Sequence, residues 1–423
     1  MKNDQTLSME RADQGRARSG ALDATLARLL LQGLAGAPIG VVLWDGARFA
    51  AGPGRPVAWI WLKDRSALTR LLLDPDLQFG ELYSAGRLEV DGSLVELAEA
   101  IYRVDFTSTG RGPLARLLRF LDRPRGNGER RARENIHHHY DIGNDFYRLW
   151  LDEQLVYTCA YFPDPSDSLE DAQIAKMEHV CRKLDLKPGE RVVEAGCGWG
   201  ALALHMARHH GVRVRAYNIS RSQVAHARER AEREGLADRV EFVDGDYREI
   251  AREQPGSCDV FVSAGMLEHV GPGHYQDLGR VIDRVLSPAG RGLIHSIGTP
   301  IRAPVNPWIE RHIFPGGYTP TLREMMAVFE PFRLSILDVE NLRLHYAKTL
   351  EHWLGRFEAH QETVRALFDE PFVRAWRLYL SGSTAAFRSG ALDLFQVLFN
   401  RTGTNDVAWT RAPLYRPRGG EGL

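Results

Sequence analysis

The chain has 423 residues, of which 44% are hydrophobic and 26% are charged, and its formal net charge at pH 7 is -1. This size and hydrophobic content predict a globular protein that buries substantial cores in more than one domain. A net charge so close to zero argues against a uniformly basic nucleic-acid-binding protein, and we expect no nucleic acid partner.

Cysteine usage and the N-terminal residues bear on the cellular compartment. The four cysteines show neither a CxxC motif nor zinc-ligand spacing, so neither a disulfide framework nor a metal site is indicated. The N-terminus lacks the apolar core of a signal peptide, and no run of about 18 apolar residues occurs. We therefore expect a cytoplasmic protein whose contact with the inner face of a membrane is peripheral.

The first part of the chain predicts a tail, a small domain and a linker. Residues 1–20 are polar and predict a flexible tail. Residues 21–108 contain short apolar runs broken by turn signals, and then the helical stretch LVELAEAIYRV, which together predict a small α+β domain. Residues 109–134 combine a leucine stripe with many arginines. Such a basic amphipathic segment is typical either of a solvated linker helix or of a helix at a membrane surface.

Residues 135–410 predict a larger domain of the α/β class. Strand-like runs such as RVVEAG, RVRAYNI and CDVFVSAG alternate there with helical stretches. Strand followed by helix, repeated, predicts a Rossmann-like, doubly wound parallel sheet. The stretch 350–400 is rich in helical periodicity.

The stretch HHHYDIGNDFY, residues 137–147, concentrates imidazoles, carboxylates and phenols. Three consecutive side chains cannot all point one way in regular structure. No further ligands stand at metal-binding distance in the sequence, so a metal site at His137–His139 is disfavoured.

A glycine-rich loop marks a nucleoside pocket. The stretch VVEAGCGWGALALHMA places Gly196, Gly198 and Gly200 after a predicted strand and at the start of a predicted helix. Glycine is needed where a ligand approaches a tight turn closely. The loop lacks the GxGxxG spacing of dinucleotide sites and the GK[ST] of phosphate loops. Together with Glu194 at the end of the strand, it is typical of the first motif of Rossmann-like class I methyltransferases that use S-adenosylmethionine.

Two further turns extend this prediction. About 20 residues after the glycine loop, where a ribose-binding acid is expected, the chain carries Asn218, which can hydrogen-bond a ribose hydroxyl, with Ser220 and Gln223 beside it. After the next predicted strand, Asp246 is expected to accept a hydrogen bond from the adenine amino group. Tyr247 is expected to stack or pack on that ring. A plain acidic turn is the alternative for Asp246.

At this point the chain resembles the cyclopropane-fatty-acyl-phospholipid synthases, including the mycolic acid cyclopropane synthases. The resemblance runs in order from about residue 134 to 400, and residues 79–92 resemble the small N-terminal domain of the bacterial phospholipid enzymes. It implies methylene transfer from S-adenosylmethionine to the cis double bond of phospholipid acyl chains, forming cyclopropane fatty acids. The motifs that carry it are ENIHHHYDIGNDFYRLWLDEQLVYTCAYF, VVEAGCGWGALALHMA, AGMLEHVG, GLIHSIG and WIERHIFPGGYTP.

The resemblance also implies roles for single residues. The HYD segment of the family folds over the cofactor, which implies that Tyr140 and Asp141 contact the region of its methionine end and that His137–His139 are packing elements of this lid. A bound bicarbonate serves the family as the base that removes a proton from the newly added methyl group. The positions that match its binding cluster are Cys159, Glu268, His295, Ile297 through its backbone N–H, and Tyr346.

Other interpretations remain beside this one. A nucleic-acid methyltransferase is disfavoured because SAGMLEHV stands where an NPPY-like tetrapeptide would follow the central strand. A lipid-binding descendant without activity would be expected to have lost part of the glycine loop or of the polar cluster. A related fatty-acid methyltransferase that gives a methyl-branched or methylene product stays open. The sequence leaves the headgroup, the double-bond position and a homodimeric state undecided.

Overall fold

The computed structural model of the protein describes residues 18–34, 36–52, 54–107 and 142–415. Several predictions fall outside these residues, namely most of the tail, the linker 109–134, His137–His139, Tyr140 and Asp141. Contacts divide the chain into two compact units, which we describe separately.

Helices and strands follow the expected order along the chain. The strands are β1 Ile39–Val42, β2 Arg48–Ala50, β3 Ala58–Leu62, β4 Leu88–Gly92, β5 Arg191–Ala195, β6 Arg213–Asn218, β7 Val240–Asp244, β8 Cys258–Ala264, β9 Leu286–Gly298, β10 Leu334–Asn341 and β11 Asp393–Arg401. The helices are α1 Ala21–Gly33, α2 Arg65–Leu73, α3 Pro75–Ser84, α4 Leu94–Thr107, α5 Asn144–Arg148, α6 Leu169–Leu184, α7 Ala201–His210, α8 Arg221–Arg233, α9 Leu267–Val270, α10 Tyr275–Val285, α11 Pro307–His312, α12 Leu322–Met325, α13 Arg343–Ala359, α14 Gln361–Leu367 and α15 Glu370–Ser389. Short 3-10 turns include Tyr247–Arg252.

The first unit is built on a four-stranded sheet of order β2-β1-β3-β4. β1 runs parallel to β3 and antiparallel to β2. Along β3, Ala58, Ile60 and Leu62 are buried while the residues between them are half-buried, so the sheet packs one face on the helices. This alternation agrees with the small α+β domain that the sequence predicts.

The first unit also contains residues that come much later in the sequence. It comprises Met1–Ala115, Asn306–Trp308 and Gln361–Ser389, so α14 and α15 belong to it. Arg374 of α15 donates to the backbone oxygen of Tyr83 at 2.6 Å and to the carboxylate of Glu89 at 3.0 Å. Residues 135–410 were predicted to form one domain that includes these helices, because sequence patterns divide a chain into consecutive blocks. The functional division into domains stays a prediction.

The second unit contains a seven-stranded sheet of order β10-β11-β9-β8-β5-β6-β7. The five strands β5 to β9 pair in parallel, whereas β11 pairs antiparallel with both β9 and β10. Alternate residues of β8 enter two different buried clusters, Val260 and Val262 in one and Phe261 in the other. Both sheet faces are therefore covered, as in a doubly wound fold, and the predicted α/β class is confirmed.

The parallel strands bring their carboxyl ends to one edge of this sheet, where ligands bind in such folds. β5, β6, β7 and β8 each run there into a loop that carries one of the predicted polar motifs. Within the described ranges, no helix combines the length and the apolar character that crossing a membrane requires.

Candidate active site

The glycine loop after β5 has left-handed backbone at each of its glycines. The φ angles are +82° at Gly196, +54° at Gly198 and +84° at Gly200, a region that L side chains rarely adopt. A Cβ at Gly196 would lie 2.9 Å from Met266, and one at Gly200 would lie 2.6 Å from Phe242. A Cβ at Gly198 would meet nothing within 4 Å. The outer glycines thus permit close packing, while the middle one borders open space.

That open space is a cavity at the carboxyl edge of the sheet. Most of the residues predicted to bind the cofactor line it, namely Glu194, Gly196, Gly198, Asn218, Gln223, Asp246 and Tyr247. Ser220 is buried at the start of α8 but does not line the cavity. The fold therefore brings three separate stretches of sequence to one wall, as expected for strands whose ends meet at one edge.

Glu194 shares the cavity with a buried lysine. Burial raises the pKa of the Glu194 carboxyl to about 8, although Lys176 acts in the opposite direction. Burial also lowers the pKa of Lys176, which donates to the hydroxyl of Thr158 at 3.1 Å. Lys176 partly offsets the poor solvation of the Glu194 carboxylate, and Asp152 and Glu194 partly offset that of the Lys176 ammonium. The wall of the cavity thus contains a buried acid and a buried base.

Asn218 is held by the loops around it. Its Nδ2 donates to the backbone oxygen of Gly198 at 3.1 Å and to Oε1 of Gln223 at 2.7 Å. Its Oδ1 accepts from the backbone N–H of Ser220 at 3.2 Å. Asn218 thus fastens the glycine loop to the second motif, a role that the sequence analysis did not assign to it.

Asp246 begins a 3-10 turn and accepts from the backbone N–H of Arg248 at 2.9 Å. The Arg248 guanidinium pairs with the same carboxylate at 3.0 Å and lies over the Tyr247 ring, 4.7 Å from its centroid. Asp246 therefore does lie in a turn, as the alternative interpretation of this residue expected. A carboxylate can accept further hydrogen bonds, so a contact with a ligand stays compatible with these partners.

Several buried polar atoms of the cavity wall have no hydrogen-bond partner among the described residues. They are Oε2 of Glu194, Nε2 of Gln223 and the hydroxyl of Tyr247. Buried polar groups in proteins are nearly always satisfied, so orphaned groups at a cavity indicate a ligand that satisfies them. Glu194 thus offers an acceptor, Gln223 an amide donor and Tyr247 a phenol. These groups fit the amine, hydroxyl and ring-nitrogen groups of a nucleoside that carries an amino acid.

The described end of the HHHYDIGNDFY stretch contacts the glycine loop. Nε1 of Trp199 donates to Oδ1 of Asn144 at 2.8 Å. The Tyr147 ring lies 5.0 Å from the Trp199 ring in an edge-to-face arrangement. This segment thus reaches the cofactor loop through Asn144 and Tyr147, while Tyr140 and Asp141 lie outside the described residues.

Glu268 and Ile297, two of the residues matched to the bicarbonate cluster, are in direct contact. The backbone N–H of Ile297 donates to Oε1 of Glu268 at 2.6 Å. Burial raises the pKa of the Glu268 carboxyl to about 7, and its Oε2 has no partner in the described part of the chain. The Ile297 N–H, expected to complete an anion cradle, is thus engaged by the carboxylate. A carboxyl with this pKa can release or accept a proton near neutrality.

His295 is a neutral hydrogen-bond donor. Burial lowers the pKa of its imidazole to about 3, so the ring is uncharged at neutral pH. Nε2 of Gln396 lies 3.1 Å from Nδ1 of His295. An amide nitrogen only donates, so Nδ1 accepts and the ring proton resides on Nε2. That Nε2–H is buried and without a partner among the described residues, so it is available to an oxygen acceptor.

Cys159 lies near the start of α13, the helix that carries Tyr346. Sγ of Cys159 donates to the backbone oxygen of Ala160 at 3.0 Å and lies 4.0 Å from that of Leu342, the residue before α13. The N–H of Leu342 donates to Leu394 at 2.8 Å, and Leu394 pairs with Ile297 in the sheet. Tyr346, one turn into α13, is buried. Burial raises the pKa of the Cys159 thiol, so it is protonated.

We define the acceptor cluster as Cys159, Glu268, His295, Ile297 and Tyr346, of which Cys159, Glu268 and His295 adjoin residues that line the cavity. Thr158 lines the cavity and precedes Cys159, and His269 lines it and follows Glu268. His295 pairs in the sheet with Ala264, which also lines the cavity. Two sets of residues predicted for cofactor and acceptor thus lie side by side.

Several residues of this region were not predicted from the sequence. Gln396 was not considered, because nothing in the local sequence shows that β11 pairs with β9 beside His295. Lys176 could have been found, since it stands four residues after Ala172 and four before Val180 on the buried face of α6. The other unpredicted polar or aromatic lining residues are Tyr157, Thr158, Trp199, Tyr217, Arg248 and His269.

Two family models match the chain. Residues 127–397 match the family described as mycolic acid cyclopropane synthetase. Residues 26–109 match a family described as a domain of unknown function. The first match includes every described residue of the acceptor cluster and of the cofactor cavity.

Individual relatives agree with this match. A probable fatty acid methyltransferase from Pseudomonas putida is 35% identical over 391 residues, which cover 90% of this chain and 96% of that protein. A cyclopropane-fatty-acyl-phospholipid synthase from Escherichia coli K12 is 40% identical over 274 residues, which cover 64% of this chain and 69% of that protein. The crystal structure of mycolic acid cyclopropane synthase CmaA1 with SAH and CTAB has a TM-score of 0.60 at 29% identity, covering 64% of this chain and 98% of that one. This chain belongs to the mycolic acid cyclopropane synthetase family and is, as predicted, an S-adenosylmethionine-dependent methyltransferase.

Proposed function

We propose that this enzyme transfers a methylene group from S-adenosylmethionine to the cis double bond of unsaturated phospholipid acyl chains and forms cyclopropane fatty acids. The observation that carries the proposal is the pair Glu268 and His295 beside the cofactor cavity. One is a carboxyl whose pKa is about 7, and the other is a neutral imidazole whose Nε2–H is unpartnered in the described residues. Such a pair suits a reaction that ends with removal of a proton in a site closed to water.

The cavity residues support binding of S-adenosylmethionine, which supplies an electrophilic methyl group on a sulfonium. Gly198 leaves room for the ligand, and Glu194 offers an unpartnered carboxylate oxygen to its amino group. Gln223, Asp246 and Tyr247 offer polar groups to the nucleoside. The buried charge of Lys176 lowers the proton affinity of Glu194 and so favours the ionised carboxylate.

The acceptor cluster supports the acid–base part of the reaction. When the methyl group joins one alkene carbon, positive charge develops on the other, and loss of a proton from the added methyl group closes the ring. Glu268 is the group that takes this proton, directly or through a bicarbonate. His295 donates from Nε2 to the anion, and Tyr346 adds a second donor. Because Gln396 already orients His295, Glu268 is free of that task and can serve as the proton acceptor.

Bicarbonate itself is part of the proposal. Two unpartnered polar atoms support it, namely the Nε2 of His295 as donor and Oε2 of Glu268 as acceptor for the bicarbonate hydroxyl. The Ile297 N–H donates to Glu268 at 2.6 Å, so it acts on the anion through the carboxylate. In enzyme depleted of bicarbonate, turnover should fall and return when bicarbonate is restored. Undiminished turnover after depletion would remove bicarbonate from the mechanism.

A second function is favoured by the relative from Pseudomonas putida, which matches nearly the whole chain and is named a probable fatty acid methyltransferase. The same methyl transfer gives a methyl-branched or methylene product if the proton leaves from a neighbouring carbon. Which proton leaves depends on the position of Glu268 relative to the acyl chain. The cluster of Glu268 and His295 supports cyclopropane formation as the first choice.

We also propose that the enzyme works in the cytoplasm at the inner face of the membrane, as a homodimer. The support is the lipid substrate and the arginine-rich segment 109–134. If Arg116 and Arg119 contact anionic headgroups, reversing both charges should weaken binding to anionic vesicles, and salt should weaken it further. Equal binding by the reversed variant would leave the segment as a linker. Analytical ultracentrifugation tests the dimer.

Product analysis tests the reaction directly. Cells that express the protein should contain phospholipids whose acyl chains have gained one CH2, and NMR of the isolated fatty acids should show cyclopropane ring protons. A methyl or methylene branch in place of the ring would establish the second function. Lipids without any added carbon, from a folded enzyme that binds S-adenosylmethionine, would contradict both.

A further inference from the structure

A group of potential metal ligands lies between α6 and α7, apart from the cofactor cavity. The ligand atoms of Cys181, His205 and His210 all lie within 4.8 Å of one another. Oε2 of Glu178 lies 3.3 Å from Nε2 of His205 and 3.2 Å from Nε2 of His210. We call these four residues the α6–α7 cluster. None of them lines the cavity or belongs to the acceptor cluster.

The spacing of the α6–α7 cluster fits a tetrahedral ion. Bonds of about 2.0–2.1 Å to nitrogen and oxygen place neighbouring ligand atoms of a tetrahedron about 3.3–3.4 Å apart, and a bond of about 2.3 Å to sulfur widens this slightly. The two distances from Glu178 to the imidazoles are 3.3 and 3.2 Å. The ligand atoms of Cys181, His205 and His210 lie within 4.8 Å of one another, which allows for the longer distances from the sulfur to the other ligand atoms.

The four side chains of the cluster differ in how far they are buried. The Cys181 thiol is fully buried, whereas the side chains of His205, His210 and Glu178 are 9%, 18% and 24% exposed. An ion could therefore enter from the solvent side and meet the thiol last. Arg182 pairs at 3.8 Å with Oε1 of Glu178, the other carboxylate oxygen, which leaves Oε2 to the imidazoles.

Hydrogen bonding alone is the competing explanation. Both imidazoles lie within hydrogen-bond distance of Oε2 of Glu178, as expected for a carboxylate shared by two imidazoles. That network explains why the imidazoles converge on Glu178, but it does not need a thiol in the same group.

We infer that Glu178, Cys181, His205 and His210 bind a divalent transition metal of the zinc type as a structural site. Cysteine and histidine are the ligands that Zn2+ prefers, and four protein ligands are typical of structural sites. On binding, both imidazoles coordinate through the Nε2 lone pair, so they carry their ring proton on Nδ1, and the thiol proton passes to solvent. The carboxylate exchanges its hydrogen bonds for the ion.

A metal ion at this site would connect two helices that border the cavity. α6 carries Lys176 into the cofactor cavity, and α7 begins directly after the glycine loop. An ion between Cys181 of α6 and the imidazoles of α7 would tie these two cavity walls together. The sequence analysis indicated no metal site because the ligands come from two helices and show no zinc-ligand spacing along the chain.

Cobalt titration of the full chain tests the site. After removal of metals with a chelator, Co2+ should bind at one ion per chain and give the visible bands of tetrahedral cobalt together with a thiolate-to-cobalt absorption in the near ultraviolet. Zn2+ should displace it and raise the melting temperature. The thiolate band distinguishes this cluster from His137–His139, because no cysteine lies in that run.

Matched variants complete the experiment. Cys181→Ser should lose the thiolate band, and His210→Gln should weaken cobalt binding at least tenfold. Cys258→Ser, at another buried free cysteine, and His209→Gln, at an exposed neighbour, should both bind like wild type. His210 is partly exposed, so its variant keeps the test valid if Cys181→Ser fails to fold. Absence of a thiolate band in wild type, or an equal band in His210→Gln, would leave only a hydrogen-bonded network.

Discussion

Replacing Glu268 with glutamine should abolish most turnover and also stabilise the fold above neutral pH. The side chain is buried, and its carboxyl accepts a hydrogen bond from the Ile297 N–H at 2.6 Å. A glutamine fills nearly the same volume, can accept the same hydrogen bond through its amide oxygen, and cannot ionise. The substitution therefore removes the proton acceptor and the buried charge with little change in packing.

The size of the stability effect follows from the pKa. Burial raises the pKa of Glu268 from its ordinary 4.5 to about 7, so folding favours the protonated form. Wild type therefore loses stability relative to the variant as pH rises from 4.5 through about 7, and this difference is complete above 7. At about 1.4 kcal/mol for each pKa unit, it amounts to about 3 kcal/mol. Below the ordinary pKa, the two proteins should be equally stable.

Thermal or urea unfolding of both proteins between pH 4.5 and 8 measures this difference, and calorimetry with S-adenosylmethionine checks that the cofactor still binds. Wild-type turnover should increase as the pH rises through about 7, because only the ionised carboxyl accepts a proton. Glu340→Gln is the matched control. Burial opposes ionisation there too, but a hydrogen bond from His179 and the ion pair with Lys183 lower its pKa to about 2, so its replacement should destabilise the fold. A stability difference for Glu268→Gln that does not change with pH, or full turnover, would refute this reasoning.

Three further substitutions probe the two halves of the site. Gly198→Val should abolish S-adenosylmethionine binding measured by calorimetry while the protein still folds, since its Cβ meets no neighbour within 4 Å and the left-handed backbone costs about 1–2 kcal/mol; unchanged affinity would contradict the cavity assignment. Lys176→Met should raise the pKa of Glu194, because Lys176 favours the ionised carboxylate. Cofactor binding should therefore weaken more at pH 7 than at pH 9, and equal weakening at the two pH values would argue against an effect of Lys176 through Glu194. Tyr346→Phe should keep cofactor affinity and lose about 10²–10³ in turnover, and wild-type activity would place its hydroxyl outside the reaction.

The residues that line much of the cavity could be predicted because their placement depends on local sequence. The turn after β5 needs left-handed backbone at Gly196, Gly198 and Gly200, and only glycine adopts it without strain. Glu194 and Asp246 each stand at a strand end, and parallel strands necessarily bring such ends to one edge. Spacing along the chain was therefore enough to place these side chains at one cavity, while Ser220, predicted on the same basis, does not line it.

Hydrogen-bond partners could not be predicted in the same way, because they come from chain that is distant in sequence. Asn218 lies where predicted, yet its amide is taken up by Gly198 and Gln223. Gln396 reaches His295 only because β11 inserts antiparallel beside β9. The contact of Glu268 with the Ile297 N–H likewise depends on how the short helix α9, which follows β8, packs against β9.

The sequence by itself determined the α/β class, the family and the residues at the strand ends, because periodicity and turn chemistry act over a few neighbouring residues. Only the tertiary structure decided the pKa values of the buried acids and bases near the cavity. Burial raises the pKa of Glu194 and Glu268 and lowers that of Lys176 and His295, and burial is a property of the packed whole. The same holds for the α6–α7 cluster, whose ligands meet only when two helices pack side by side.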